Sequence, residues 1–130
     1  MDKPTQRIIW LALTAIYMAA IVISSLQPAK VFGRHTASKE IFLNVLHIPA
    51  YALLMYMLVR CWLVANRRVL ILAFVIAVVF GALNECIQAL VPGRTASVND
   101  ALMNVIGAGV ILIVLTRMSP CHQSPRHKNG

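Results

Sequence analysis

Glu85 stands inside an apolar run from Val69 to Val91, and His47 stands inside another from Phe42 to Ala65. An ionisable side chain in such a run is costly to bury and is a functional candidate by default. Burial and neighbouring charge shift carboxyl and imidazole proton affinities into the working range, so His47 and Glu85 are the catalytic acid/base candidates. A third polar group spans the next junction, with Arg94, Ser97, Asp100 and Asn104 in eleven residues. A guanidinium close to a helix start is suited to holding a phosphate or carboxylate. Tyr51 and Gln88 join these four as candidate ligand-binding residues.

Helical spacing sorts the candidates onto faces. Asn44, His47 and Tyr51 fall at i, i+3 and i+7. Glu85 and Gln88 fall at i and i+3, and Asp100, Asn104 and Gly107 at i, i+4 and i+7. Residues at these spacings share one side of a helix. Three segments would then each carry one polar stripe, and packing the stripes together would keep all of them out of lipid. A small polar cavity between the second, third and fourth segments is the expected arrangement.

Each residue also has a plainer role open to it. Ser97 and Asp100 have capping-box spacing, with Asp in place of the usual Glu or Gln. Arg94 could anchor the chain at lipid headgroups or pair with Glu85 or Asp100. Asn104 and Gln88 could be interhelical hydrogen-bond ties, and His47 a neutral interfacial histidine. Pro49 sets a helix entry or a kink. Ser24 and Ser25 are read as hydroxyls bonded back to their own helix rather than as nucleophiles.

The elements that must position these groups are four apolar segments, at about residues 8–26, 42–65, 69–91 and 101–118. At about 1.5 Å rise per residue each is long enough to cross a hydrocarbon core of about 30 Å. Helices are required there, because an open strand leaves its backbone groups unsatisfied in lipid. Composition agrees: 59% of the 130 residues are hydrophobic and 12% charged, against about 25% charged in soluble domains. A globule this small cannot bury so much apolar surface. The expected fold class is therefore an all-α, polytopic transmembrane bundle of four helices. The first segment is longer than a signal-peptide core and is followed by no A-x-A site, so it is expected to stay.

The net charge of +8 sits in loops and tails, a pattern of membrane topology, and no nucleic-acid partner is expected. Eight of the twelve Lys and Arg lie in the N-terminus, the second connection and the tail, which places both termini in the cytoplasm of a cell (inner) membrane. Trp10 and Trp62 then fall at the inner interface, and the polar cluster on the extracytoplasmic side. Cys61, Cys86 and Cys121 are scattered, with no CxxC and no zinc spacing. No disulfide framework, metal site or cofactor is expected, and His122 and His127 are read as part of a disordered polar tail over 119–130.

These residues resemble the VanZ-like membrane proteins. The resemblance rests on His47 with Tyr51, then on Gly81, Glu85-Cys-Ile-Gln88, Pro92-Gly-Arg94, Ser97, Asp100, Asn104 and Gly107. It covers about half the chain by motif and nearly all of it by hydrophobic layout. One departure is Asn44, where relatives often carry a lysine. The resemblance implies a bacterial cell-envelope protein, with a possible link to glycopeptide (teicoplanin) resistance through the family's namesake.

Two functions stay open from sequence. One is a protein that contacts membrane lipids and binds a lipid-linked or cell-wall ligand, or a partner, at its outer face. The other is a membrane enzyme acting on such a substrate by Glu/His acid-base chemistry. A small transporter is a third reading, weakened because four helices without an internal repeat make a poor alternating-access machine.

Overall fold

The computed structural model describes residues 2–27, 37–92 and 97–118, with backbone alone over 37–44. It contains four helices: α1 (Lys3–Ser25), α2 (Ala37–Cys61), α3 (Arg67–Ala89) and α4 (Val98–Met118). No strand occurs among the described residues. The expected all-α bundle of four helices is the observed one, with shifted ends.

Local chemistry explains the shifts. α1 starts before Ile8 because Pro4 sits in the first turn, where its missing N–H is harmless and its φ is already helical. α2 begins at Ala37 rather than Phe42, through Ala, Lys and Glu residues of good helix propensity. It stops at Cys61 rather than Ala65, because Leu63 adopts a left-handed φ of 56°. The N–H groups of Trp62 and Leu63 bond back to the carbonyls of Val59 and Arg60, closing the last turn. The Asn66 side chain then accepts from the Val69 N–H at 2.9 Å and caps α3. α4 starts at Val98 rather than Ala101, with Ser97 as its cap.

The bundle is apolar on the outside as well as within. Of the apolar windows in α1, α3 and α4, only 11%, 33% and 17% are buried. Ile8, Ile16, Ile23, Val79, Leu83 and Ile113 all face outward. These three helices are long and apolar enough to cross a membrane, and α2 adds a shorter apolar stretch over Val45–Cys61. Such a surface is stable only with lipid as its solvent.

The core is built around α2. Tyr51, Leu54, Met55, Leu58 and Val59 of α2 meet Leu70, Ala73 and Ala77 of α3 and Ala108 of α4. The helix that α2 meets most extensively is α4. The approach is closest at Gly107, where an added Cβ would lie 2.3 Å from the Ile48 carbonyl oxygen. Ile48 precedes Pro49, the proline inside α2. Small residues let membrane helices bring their backbones together in this way.

α1 is held more lightly, by polar ties across an apolar face. The Thr14 hydroxyl lies 3.2 Å from the Cys61 sulfur, and the Tyr17 hydroxyl donates to the Ala50 carbonyl at 3.1 Å. Asn84 Nδ2 donates to Ser25 Oγ at 2.8 Å, tying α1 to α3. At one end of the bundle the Arg60 guanidinium lies 5.1 Å from the Trp10 ring centre, and Arg7 lies 6.0 Å from that of Trp62. This cation–aromatic layer has the composition of a membrane interface.

The close contact at Gly107 carries a prediction. Gly107→Ala must push α4 off the Ile48 carbonyl, and overpacking of this kind costs about 1–3 kcal/mol. Gly109→Ala is the matched control, because its added Cβ comes no closer than 4.0 Å to Phe74. Thermal unfolding in detergent should show a lowered midpoint for the first variant and little change for the second.

Candidate functional site

The end of the bundle opposite the arginine–tryptophan layer gathers polar side chains from three helices. His47 comes from α2, within the first turn of the stretch whose side chains are described. Glu85 comes from the last turns of α3, and Asp100 and Asn104 from the first turns of α4. A ring nitrogen of His47, a carboxylate oxygen of Glu85 and a carboxylate oxygen of Asp100 all lie within 4.8 Å of one another. Glu85 is buried, and His47 and Asp100 are half-buried.

Each side chain is oriented by a neighbour. Asn104 Oδ1 lies 2.8 Å from His47 Nδ1 and accepts its proton. That bond puts the hydrogen on Nδ1 and leaves the lone pair on Nε2. The Tyr51 ring lies nearly parallel to the His47 ring, with centres 6.4 Å apart. Behind them Gly81 leaves room: an added Cβ would meet Tyr51 Cε1 at 3.0 Å and Asn104 Nδ2 at 3.1 Å. Tyr51 and Asn104 are 1% and 2% exposed, yet the Tyr51 hydroxyl and Asn104 Nδ2 have no hydrogen-bond partner among the described residues.

The start of α4 departs from the capping box in an informative way. The Ser97 hydroxyl accepts from the Asp100 N–H at 3.3 Å, as an N-cap should. In a capping box the carboxylate of the third helical residue would return to the Ser97 N–H. Here that N–H donates to Glu85 Oε2 of α3, at 3.4 Å. Glu85 therefore closes the cap from another helix, and Asp100 is not spent on it. One Asp100 oxygen, Oδ1, is shielded from solvent with no hydrogen-bond partner among the described residues. Both carboxylates sit at the positive end of α4, where the helix dipole stabilises negative charge.

Of the eight candidates named from sequence, His47, Tyr51, Glu85, Ser97, Asp100 and Asn104 come together in this one region. Gln88 is buried one turn beyond Glu85 on α3. Arg94 lies outside the described residues, as do the Asn44 side chain and the tail with Cys121, His122 and His127. Ser24 does bond back to its own helix, donating to the Ile21 carbonyl at 2.8 Å. Ser25 accepts from Asn84, an interhelical tie that sequence reasoning missed. Asn84 is 1% exposed, and the available signal was an amide inside an apolar helix, next to Glu85. Thr14 is a second missed tie. Its hydroxyl reaches the Trp10 carbonyl at 2.7 Å as well as Cys61, so it is satisfied locally like any helix threonine.

An all-helical bundle with an apolar exterior and its polar side chains clustered at one end is a polytopic membrane protein. A family model described as VanZ/LLP1 matches residues 4–119. The chain belongs to the VanZ/LLP1 family. No curated protein and no solved structure matches it.

The borrowed cap makes a prediction. Ser97→Ala removes the side-chain acceptor of the Asp100 N–H but leaves the backbone N–H that Glu85 holds. The loss should be that of one N-cap, about 1 kcal/mol. Thermal unfolding should show this modest drop, and spectra of the His47 ring should be unchanged from the parent.

Proposed function

We propose that this protein is a multi-pass protein of the cell membrane that binds a polar component of the cell envelope in a pocket on its extracytoplasmic side. The observation that carries the reading is the convergence of His47, Glu85 and Asp100, from three helices, within 4.8 Å. Structural economy does not call for it, because interhelical hydrogen bonds in membranes average only about 0.6 kcal/mol, and two carboxylates side by side repel. Buried hydrogen-bonding groups without partners among the described residues are the second support, since a ligand could satisfy the Tyr51 hydroxyl and Asn104 Nδ2. Carboxylate acceptors beside hydroxyl and amide donors suit a headgroup or glycan rich in polar groups. The orientation rests on the charge asymmetry and on the arginine–tryptophan layer at the opposite end. A part in glycopeptide (teicoplanin) resistance is the family-level extension of this reading.

Two experiments test it. Cysteines introduced at Thr95 and in the tail should differ in intact cells, with an impermeant reagent labelling Thr95 alone. Labelling of the tail from outside would reverse the orientation and remove the pocket from the envelope face.

For the pocket, native mass spectrometry after mild extraction should find an envelope component on the parent chain and not on Glu85→Gln. Glutamine keeps the size of the side chain and an acceptor for the Ser97 N–H, so the thermal midpoint should hold while binding is lost. A Glu85→Gln chain that still carries the component would end the reading, and so would loss of binding in step with loss of fold.

A further inference from the structure

We infer that His47, Glu85 and Asp100 form a binding site for one divalent transition-metal cation of the zinc class. The inference shares its pocket with the reading above but is tested with metal alone, so either can fail without the other.

Chemistry selects the ion. One imidazole nitrogen and two carboxylate oxygens make a hard-to-borderline N/O set with no thiolate, which suits Zn²⁺ and its neighbours rather than soft Cu(I). Three protein ligands with open positions are the pattern of sites that take a water or a substrate oxygen.

Geometry allows it. Ligands of a tetrahedral ion at about 2.0–2.2 Å stand about 3.3–3.5 Å apart. A ring nitrogen of His47 and one carboxylate oxygen each of Glu85 and Asp100 already lie within 4.8 Å of one another, so side-chain rotation can complete the set. The histidine is also prepared as a ligand. Metal-bound histidines donate their second ring N–H to a carbonyl or carboxylate, which fixes the tautomer. Asn104 Oδ1 takes that proton at 2.8 Å, and Nε2 is left to bind.

Two further observations point to an occupant. Asn104 and Tyr51 are 2% and 1% exposed, and both abut His47. Each carries a polar atom, Nδ2 and the hydroxyl, with no partner among the described residues. A metal-bound water or ligand oxygen would give them one. The arrangement of the α4 cap adds to this, because Glu85 closes it through Ser97 and leaves Asp100 for another role. Helical spacing brings the three stripes together, but the distances that suit a metal appear only in the packed bundle.

The test uses the full chain, purified in detergent, stripped with chelator and titrated with Zn²⁺ alone. We expect one zinc per chain by elemental analysis, and loss of that site in each of His47→Ala, Glu85→Gln and Asp100→Asn. Asn104→Ala should keep the stoichiometry and weaken affinity by roughly 10- to 100-fold, as removal of a ligand's orienting partner does. Co²⁺ in place of zinc should give ligand-field bands of an N/O site in the unmutated chain. That spectrum and the Asn104 variant keep the test decisive if a ligand variant does not fold.

A chain with Cys121, His122 and His127 replaced should bind as the parent does. Binding that survives His47→Ala but disappears with the tail residues would overturn the site. So would a parent chain with no stoichiometric zinc, or one that binds only once Arg94 is replaced. Equal binding of Mg²⁺, indifferent to His47→Ala, would reduce the site to a carboxylate pair and also overturn it. Zinc bound to a protein that retains no envelope component would leave the metal site standing and sink the ligand reading instead.

Discussion

α4 can lie against α2 as it does because position 107 has no side chain. The Ile48 carbonyl occupies the place where a Cβ would stand, 2.3 Å from it. One turn along α4 is Asn104, and one residue before Ile48 is His47, so the backbone contact sets the reach of the 2.8 Å bond between them. Gly81 does the same for α3, whose surface at that point is filled by the Tyr51 ring and the Asn104 amide. Two glycines thus bring three helices near enough for short polar side chains to meet. A membrane bundle has no hydrophobic force between its helices to do this work, so close packing has to supply it.

Lipid then decides where polar groups go. A carboxylate facing hydrocarbon would be several kcal/mol out of place, and every Asp, Glu, Lys, Arg and His side chain described within the helices lies toward one of the two ends. At the Arg60 end the charges spread over tryptophan faces and reach the interface. At the Glu85 end they turn inward, against the positive terminus of α4. At the start of α4 the Ser97 N–H, which could bind an anion, instead holds the Glu85 carboxylate.

The fold was legible in the sequence because hydrophobic length is a strong signal and lipid permits few alternatives. The four segments, the shared polar face and the choice of Glu85, His47, Asp100 and Asn104 could all be read from apolar runs and helical spacing. Helix ends were less legible. Leu63 in a left-handed conformation carries none of the usual Gly or Asn signal, and α2 ends earlier than its apolar run. The capping box at Ser97 was half right: the serine caps, but its partner is Glu85 and not Asp100. Spacing along one helix cannot reveal a partner supplied by another. Asn84 was missed for the same reason, since only the packed bundle brings Ser25 of α1 to it.

The packing also bears on how such a pocket could work. A transporter needs its helices to change places around a central site. Here the site lies on α2, α3 and α4, the helices locked by Gly107 against Ile48 and by Gly81 against Tyr51 and Asn104. Sliding α4 along α2 by one residue would carry a side chain of α4 into the Ile48 carbonyl. α1 packs Tyr17, Met18 and Ile21 on the same core and adds hydroxyl, thiol and amide contacts, but it brings no side chain to the His47–Glu85–Asp100 cluster. Motion of α1 would change access to the pocket's flank without remaking the site. Close packing of α2, α3 and α4 fits the proposed reading of a site that holds its ligand in fixed geometry better than one whose helices must exchange places.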